Sequence, residues 1–128
     1  MIGISGISVY APEDYIDNIV QAETFGHDEK FVRKRLGPVK IPIMGKNVDT
    51  SDMALFAFNN LIDEYNVEKS EVEAVIIVTQ NPDGEGLPHA AAIMHGKASL
   101  EDSVAAFDIS LGCSGYVYGL SVLKGLMV

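Results

Sequence analysis

One stretch does most to constrain what this chain folds into: Ala105 to Val128, AAFDISLGCSGYVYGLSVLKGLMV. The apolar run Val104 to Ile109, broken only by Asp108, has the length and character of a buried strand. Ser110-Leu111-Gly112 then turns the chain. Past Cys113, Ser114 and Gly115, the residues Tyr116, Leu120, Leu123 and Met127 recur on one helical face. The only cysteine of the protein therefore sits where a strand hands over to a helix. The first N–H groups of a helix are unpaired and carry partial positive charge. A thiolate held there is stabilised and becomes a usable nucleophile near neutral pH. Gly112 and Gly115 flank the cysteine with minimal bulk, which permits a sharp turn and close approach of a substrate. A lone cysteine is more often a small buried hydrophobe, so position alone leaves both roles open. A serine-hydrolase elbow, Gly-x-Ser-x-Gly, is excluded: centred on Ser114 it needs glycine at position 116, which is Tyr116.

The rest of the chain fits one α/β domain. With 128 residues, 48% of them hydrophobic, there is enough apolar side chain for one core. One cysteine forms no internal disulfide, which suits a reducing, cytoplasmic setting. The N-terminus lacks the basic region of a signal peptide, and no apolar run reaches membrane-spanning length. A net charge of -9 argues against nucleic acid and against an anionic membrane as partner. One small basic group stands out, Lys30, Arg33, Lys34 and Arg35 with Lys40 nearby. It reads equally as a solvated helix face and as a docking patch.

Taken in order, Ile2 to Tyr10 reads as a first strand, with a bulge or close backbone contact at Gly6. Asn18 to Phe25 and Asp28 to Leu36 read as helices, the second stopped by Gly37-Pro38. Lys40 to Met44 suits a short extended piece. Asp49-Thr50-Ser51-Asp52 opens a helix, and Ala54, Phe58, Leu61, Ile62 and Tyr65 give it a helical period. Leu55 and Phe56 widen its apolar surface, so burial on most sides is expected. The unbroken apolar run from Glu73 to Thr79 suits a parallel strand covered on both faces. Pro88 starts a further helix, on or near which His89 and His95 read as structural or surface residues. Strands alternating with helices predict a sheet with helices on both faces.

Several of these segments resemble one family. AFDISLGCSGYVYGL is similar to the nucleophile segment of the 3-oxoacyl-[acyl-carrier-protein] synthase III family (beta-ketoacyl synthase III). In that family a strand ending in Asp-x-x-x-x-Cys-[Ala/Ser]-Gly-[Phe/Tyr] leads into the active-site helix. Asp108, Cys113, Ser114, Gly115 and Tyr116 match in register. The opening, Ile4-x-Gly6-x-x-x-Tyr10-x-Pro12-Glu13, also resembles members of this superfamily. Phe31 to Gly37 resembles the segment Trp-x-x-x-Arg-Thr-Gly, in which an aromatic ring and an arginine hold the adenine of coenzyme A. Phe31 stands for the tryptophan and Arg35 for the arginine, while Leu36 replaces the threonine.

The resemblance implies a thiolase-like fold. It makes residues 1–128 the N-terminal part of a thiolase-like domain with an incomplete first half and no second half. It implies a decarboxylating Claisen condensation in fatty acid or polyketide biosynthesis. Cys113 takes an acyl group from acyl-coenzyme A and condenses it with malonyl-acyl carrier protein. It implies an oxyanion held by backbone N–H groups including that of Cys113, no cofactor beyond the coenzyme A thioester substrate, and no metal. It implies a homodimer or higher oligomer joined through the Val104 to Ile109 strand. In that assembly Leu87, the residue before Pro88, lines the partner subunit's acyl pocket. The histidine and asparagine of the family site have no matching motif here, so this length of chain alone is expected to be an inactive fragment. Three other readings stand beside this one. A hydroxymethylglutaryl-coenzyme A synthase relative needs a glutamate where Gln80 stands. The remaining two are a synthase III-like transferase to oxygen or nitrogen acceptors and a non-catalytic dimerising scaffold.

Overall fold

A computed structural model describes residues 2–127; the terminal residues of the sequence, Met1 and Val128, lie outside the described residues. The chain forms two compact units. One is Ala11–Val48, and the other joins the N-terminal segment through Tyr10 to Asp49 and onward.

In the Ala11–Val48 unit, strand β1 (Tyr15–Asp17) pairs antiparallel with β2 (Lys40–Pro42), Ile16 opposite Ile41. The Lys40 ammonium sits 3.9 Å from the Tyr15 ring centroid, which engages one member of the basic group in a cation–π contact. Helix α1 (Asn18–Thr24) starts at Asp17, whose carboxylate accepts from Ile19 N at 2.9 Å and Val20 N at 3.3 Å. Helix α2 (Glu29–Phe31) is capped by Asp28, which accepts from Phe31 N at 2.8 Å. It runs on as a π-helical turn, Val32–Leu36, so the single helix expected over Asp28 to Leu36 is one coil that widens halfway. Gly37, at φ 91°, ends it in a conformation that favours glycine.

In the larger unit, helix α3 (Thr50–Tyr65) is followed by a 3₁₀ turn and then strand β3 (Ala74–Val78). Helix α4 (Ala90–Ala98), strand β4 (Ala105–Ile109) and helix α5 (Gly115–Leu126) complete it. β3 and β4 are parallel, with Val75 opposite Ala106, Ile77 opposite Asp108 and Val78 opposite Ile109. Alternation along β3 sends neighbours to opposite faces. Val75 and Ile77 join the core with Ala90, Ala91, Met94, Leu100 and Val104, while Val78 packs under α5. Helix α4 covers one face of this two-stranded sheet, while α5 lies over the Val78 end of the other and leaves Ile76 and Val78 bordering an open cleft, so the cover expected on both faces of β3 is complete on one face only.

Two expectations are corrected. Ile2 to Tyr10 is not a strand. A strand needs a ladder partner, and this segment is held instead by side chains of α3. Tyr65 Oη lies 3.3 Å from Ile7 N and 3.2 Å from its O, and Asn60 Nδ2 donates to Val9 O at 2.9 Å. The close backbone contact at Gly6 is present, since a Cβ there would stand 3.0 Å from the Tyr65 ring. Helix α3 in turn is half-buried along most of its length, with only Ser51 fully buried. It packs on α4 on one side, and the other side meets an extended segment that covers it thinly, Tyr10 against Phe56 at 4.8 Å.

Candidate active site

Cys113 is exposed and lies in the turn between β4 and α5, two residues ahead of the first helical residue, Gly115. Ser114 takes the N-cap place with helical dihedrals (φ -69°, ψ -18°) and makes no side-chain cap. The helix start beside the thiol is thus not capped by a side-chain oxygen. The turn is closed by Gly115 N donating to Gly112 O at 2.8 Å and Leu111 N to Ile109 O at 2.9 Å. Among the described residues the Cys113 N–H has no acceptor.

Packing demands glycine at 115, whereas at 112 the nearest atom is the end of a flexible side chain that can give way. A Cβ on Gly112 would stand 2.9 Å from Gln80 Oε1, and one on Gly115 would collide with Val78 while standing 3.0 Å from Leu111 Cβ. One turn on, a Cβ on Gly119 would be 3.1 Å from Val78 Cγ2. α5 therefore lies directly on the end of β3, and this contact fixes where the thiol projects. Cys113 borders an open cleft of about 460 Å³ whose other walls include Ile76, Val78, Tyr116, Leu120 and Leu123. An apolar cleft beside a thiol suits an aliphatic group bound to that sulfur.

Asp108, the one charge in the β4 run, faces α4. Its two carboxylate oxygens accept from Ala90 N and Ala91 N, each at 2.8 Å. These N–H groups are helix-start orphans, and a carboxylate is their best partner. Hydrogen bonds to a charged group contribute about 1.5–3 kcal/mol each. His89 adds a third tie, its Nε2 lying 2.9 Å from Ala106 O. His95 Nε2 meets Glu101 O at 3.0 Å. Both histidines are thus structural.

A second polar cluster was not anticipated. Ser51, fully buried, donates N–H to Asp83 Oδ1 at 2.8 Å and its hydroxyl to Asp83 Oδ2. Lys97 Nζ reaches Ser51 Oγ at 2.9 Å and Asp52 Oδ1 at 2.5 Å. Asp52 also accepts from Asp49 N at 3.0 Å, and that bond, followed by the Lys97 contact, holds its carboxyl below the ordinary value. The cluster joins the start of α3, the loop before Leu87, and α4. Its only sequence signal is the density of short polar residues in Asp49–Asp52 and in Asn81–Asp83, which is common to many turns.

The remaining expected site residues lie elsewhere. Leu87 is 86% exposed, ahead of a cis bond to Pro88, and does not line the Cys113 cleft. Phe31 and Arg35 belong to the Ala11–Val48 unit. One face of the Phe31 ring is taken by His27, stacked at 4.0 Å and 11°, and Phe31 lines a cleft of about 370 Å³ with Phe25, His27 and Leu36. Arg35 is exposed and does not line that cleft. In the basic group, Arg33 pairs with Glu29 at 2.7 Å. Among the described residues no cluster of three His, Cys, Asp or Glu is placed to hold a metal, and no helix is long and apolar enough to cross a membrane.

No protein-family model matches the chain. Individual proteins do. The beta-ketoacyl-[acyl-carrier-protein] synthase III of Helicobacter hepaticus is 33% identical over 124 residues, 97% of this chain and 37% of that protein. The Ehrlichia canis protein of the same name is 34% identical over 119 residues, 93% of this chain and 37% of that protein. A crystal structure of a 3-oxoacyl-(acyl-carrier-protein) synthase III superposes with a TM-score of 0.88 at 32% identity, covering 96% of this chain and 36% of that one. The chain thus spans little more than a third of the relatives it matches.

Proposed function

We propose that this chain, which matches the N-terminal portion of the beta-ketoacyl-[acyl-carrier-protein] synthase III family and has the corresponding part of its thiolase-like fold, supplies the nucleophile of an acyltransferase in fatty acid biosynthesis. The observation that carries the reading is Cys113: an exposed thiol at the start of α5, beside an uncommitted N–H, at the mouth of an apolar cleft.

The chain's own share of the chemistry is the first half-reaction. The Cys113 thiolate attacks the thioester carbonyl of acyl-coenzyme A. The oxyanion that forms is met by backbone N–H groups, that of Cys113 among them. Collapse of this intermediate breaks the bond to coenzyme A, which leaves as a thiolate and takes up a proton, and the acyl group stays on Sγ. Phe31 and Arg35 contribute to holding coenzyme A, an aromatic face and a planar cation being suited to a purine. Leu87 bounds the acyl chain, and a second copy of the chain is the partner. Malonyl-acyl carrier protein is the acceptor in the second half-reaction. Its decarboxylation needs a histidine and an asparagine for which this chain has no matching motif, so the chain by itself stops at the acyl-enzyme.

The test is single-turnover release of coenzyme A from butyryl-coenzyme A, followed by chromatography. One equivalent per chain is expected from the wild type and none from Cys113→Ala. Equal release by both proteins, or release by neither, overturns the assignment.

A further inference from the structure

On the acyl-transfer reading of Cys113, we propose that Asp108 is a positioning residue that couples the acyl-bounding segment Leu87–His89 to the nucleophile turn. It touches neither the acyl chain nor the thioester. Strand β4 carries both connections. At one end it leads through Ser110–Gly112 to Cys113. On the face turned to α4, Asp108 grips Ala90 N and Ala91 N with one oxygen each at 2.8 Å, and Ala106 O meets His89 Nε2 at 2.9 Å. Ala90 and Ala91 are fully buried, so their N–H groups have no water to turn to. Leu87, by contrast, is 86% exposed and has little packing of its own to hold it. The three ties to β4 therefore set where the Leu87–Pro88 segment stands relative to the strand that ends at the thiol.

The charge matters as well as the shape. A carboxylate offers an acceptor oxygen to each N–H, whereas the amide of Asp108→Asn offers one oxygen and presents donors to the other. The substitution keeps the volume and releases one of the two ties.

Hydrogen exchange read by mass spectrometry tests the coupling without any substrate. In Asp108→Asn, exchange is expected to rise about tenfold, the loss of one charge-assisted bond, both in residues 87–92 and in residues 110–114, with α3 unchanged. A rise in 87–92 alone, or a uniform rise, overturns the proposal. If Asp108→Asn does not fold, His89→Gln removes the weaker tie and must show the same paired pattern. A second arm loads Cys113 from acetyl- to octanoyl-coenzyme A. The ratio of long to short acyl groups is expected to shift by about tenfold or more, the scale of one methylene in an apolar pocket, while iodoacetamide labelling of Cys113 keeps its rate. A uniform fall across chain lengths reduces Asp108 to a structural role. Absence of any acyl adduct in the wild type overturns the acyl-transfer reading itself, and the exchange pattern then decides the coupling on its own.

Discussion

Gly115 is pressed against Val78 so closely that a Cβ on the glycine would collide with Cγ1 of the valine. This is the point at which α5 rests on β3, and it sits two residues from the thiol. Because Leu111 Cβ blocks the other side at 3.0 Å, the helix has no direction in which to yield cheaply. Gly115→Ala is expected to lower stability by about 1–3 kcal/mol, the usual cost of overpacking. Urea unfolding followed by circular dichroism measures it. A variant as stable as the wild type shows that α5 is free to shift, and that the thiol is not fixed by this contact.

Asp52 gives a pH-dependent expectation. Its carboxyl is held below 3.8, first by the Asp49 N–H and then by Lys97. A depressed folded-state value means that the stabilisation is present at neutral pH and is lost as pH falls through the folded value. The site is partly solvated, with 24% of the Asp52 side chain exposed, so the effect is modest. Asp52→Asn is expected to cost about 1 kcal/mol at pH 7, typical of a helix-start interaction. The gap from the wild type should close as pH drops below 3.8. A gap that stays constant from pH 7 down to pH 3 contradicts the assignment.

Leu87 is the expected determinant of acyl length. Leu87→Phe adds bulk to a residue that is exposed in the single chain, so folding should be nearly unaffected. Loading of Cys113 should narrow towards acetyl, by a factor corresponding to about 1–3 kcal/mol per methylene excluded. Unchanged preference across a series of acyl-coenzyme A lengths removes Leu87 from the acyl site.

Association is the fourth expectation. Among the described residues β4 pairs only with β3, so its other edge, where His89 meets Ala106 O, carries no strand, and such edges seek partners. Sedimentation at micromolar concentration should report a dimer or larger species. A monomer there rules out pairing through Ala105–Ile109.

What the sequence disclosed followed from local chemistry. The apolar run announced the strand Ala74–Val78, and Asp49–Asp52 announced a helix start, because both signals lie within a few neighbouring residues. Cys113 was legible because strand, turn and helix adjoin it. The Ile2–Tyr10 segment was misread because alternating apolar residues describe a strand only when a ladder partner is present, and partners are a tertiary fact. The partners of Asp108 lie 17 and 18 residues earlier in the chain. A charge interrupting an apolar run signalled only that some partner must exist. Of the three-residue pair, β2 falls within the extended piece read over Lys40 to Met44, whereas β1 was too short for any period to show. The stack of His27 on Phe31 was not legible, because His27 lies outside the helix that carries Phe31 and no helical period links the two.

Cys113 is expected to accept an acyl group. Incubation of the folded chain with butyryl-coenzyme A, acid quench, proteolysis and peptide mass spectrometry tests it directly. One butyryl adduct is expected on the peptide containing Cys113, labile to hydroxylamine as a thioester is, and absent from Cys113→Ala. An unmodified Cys113 peptide, or an adduct that persists in Cys113→Ala, contradicts it.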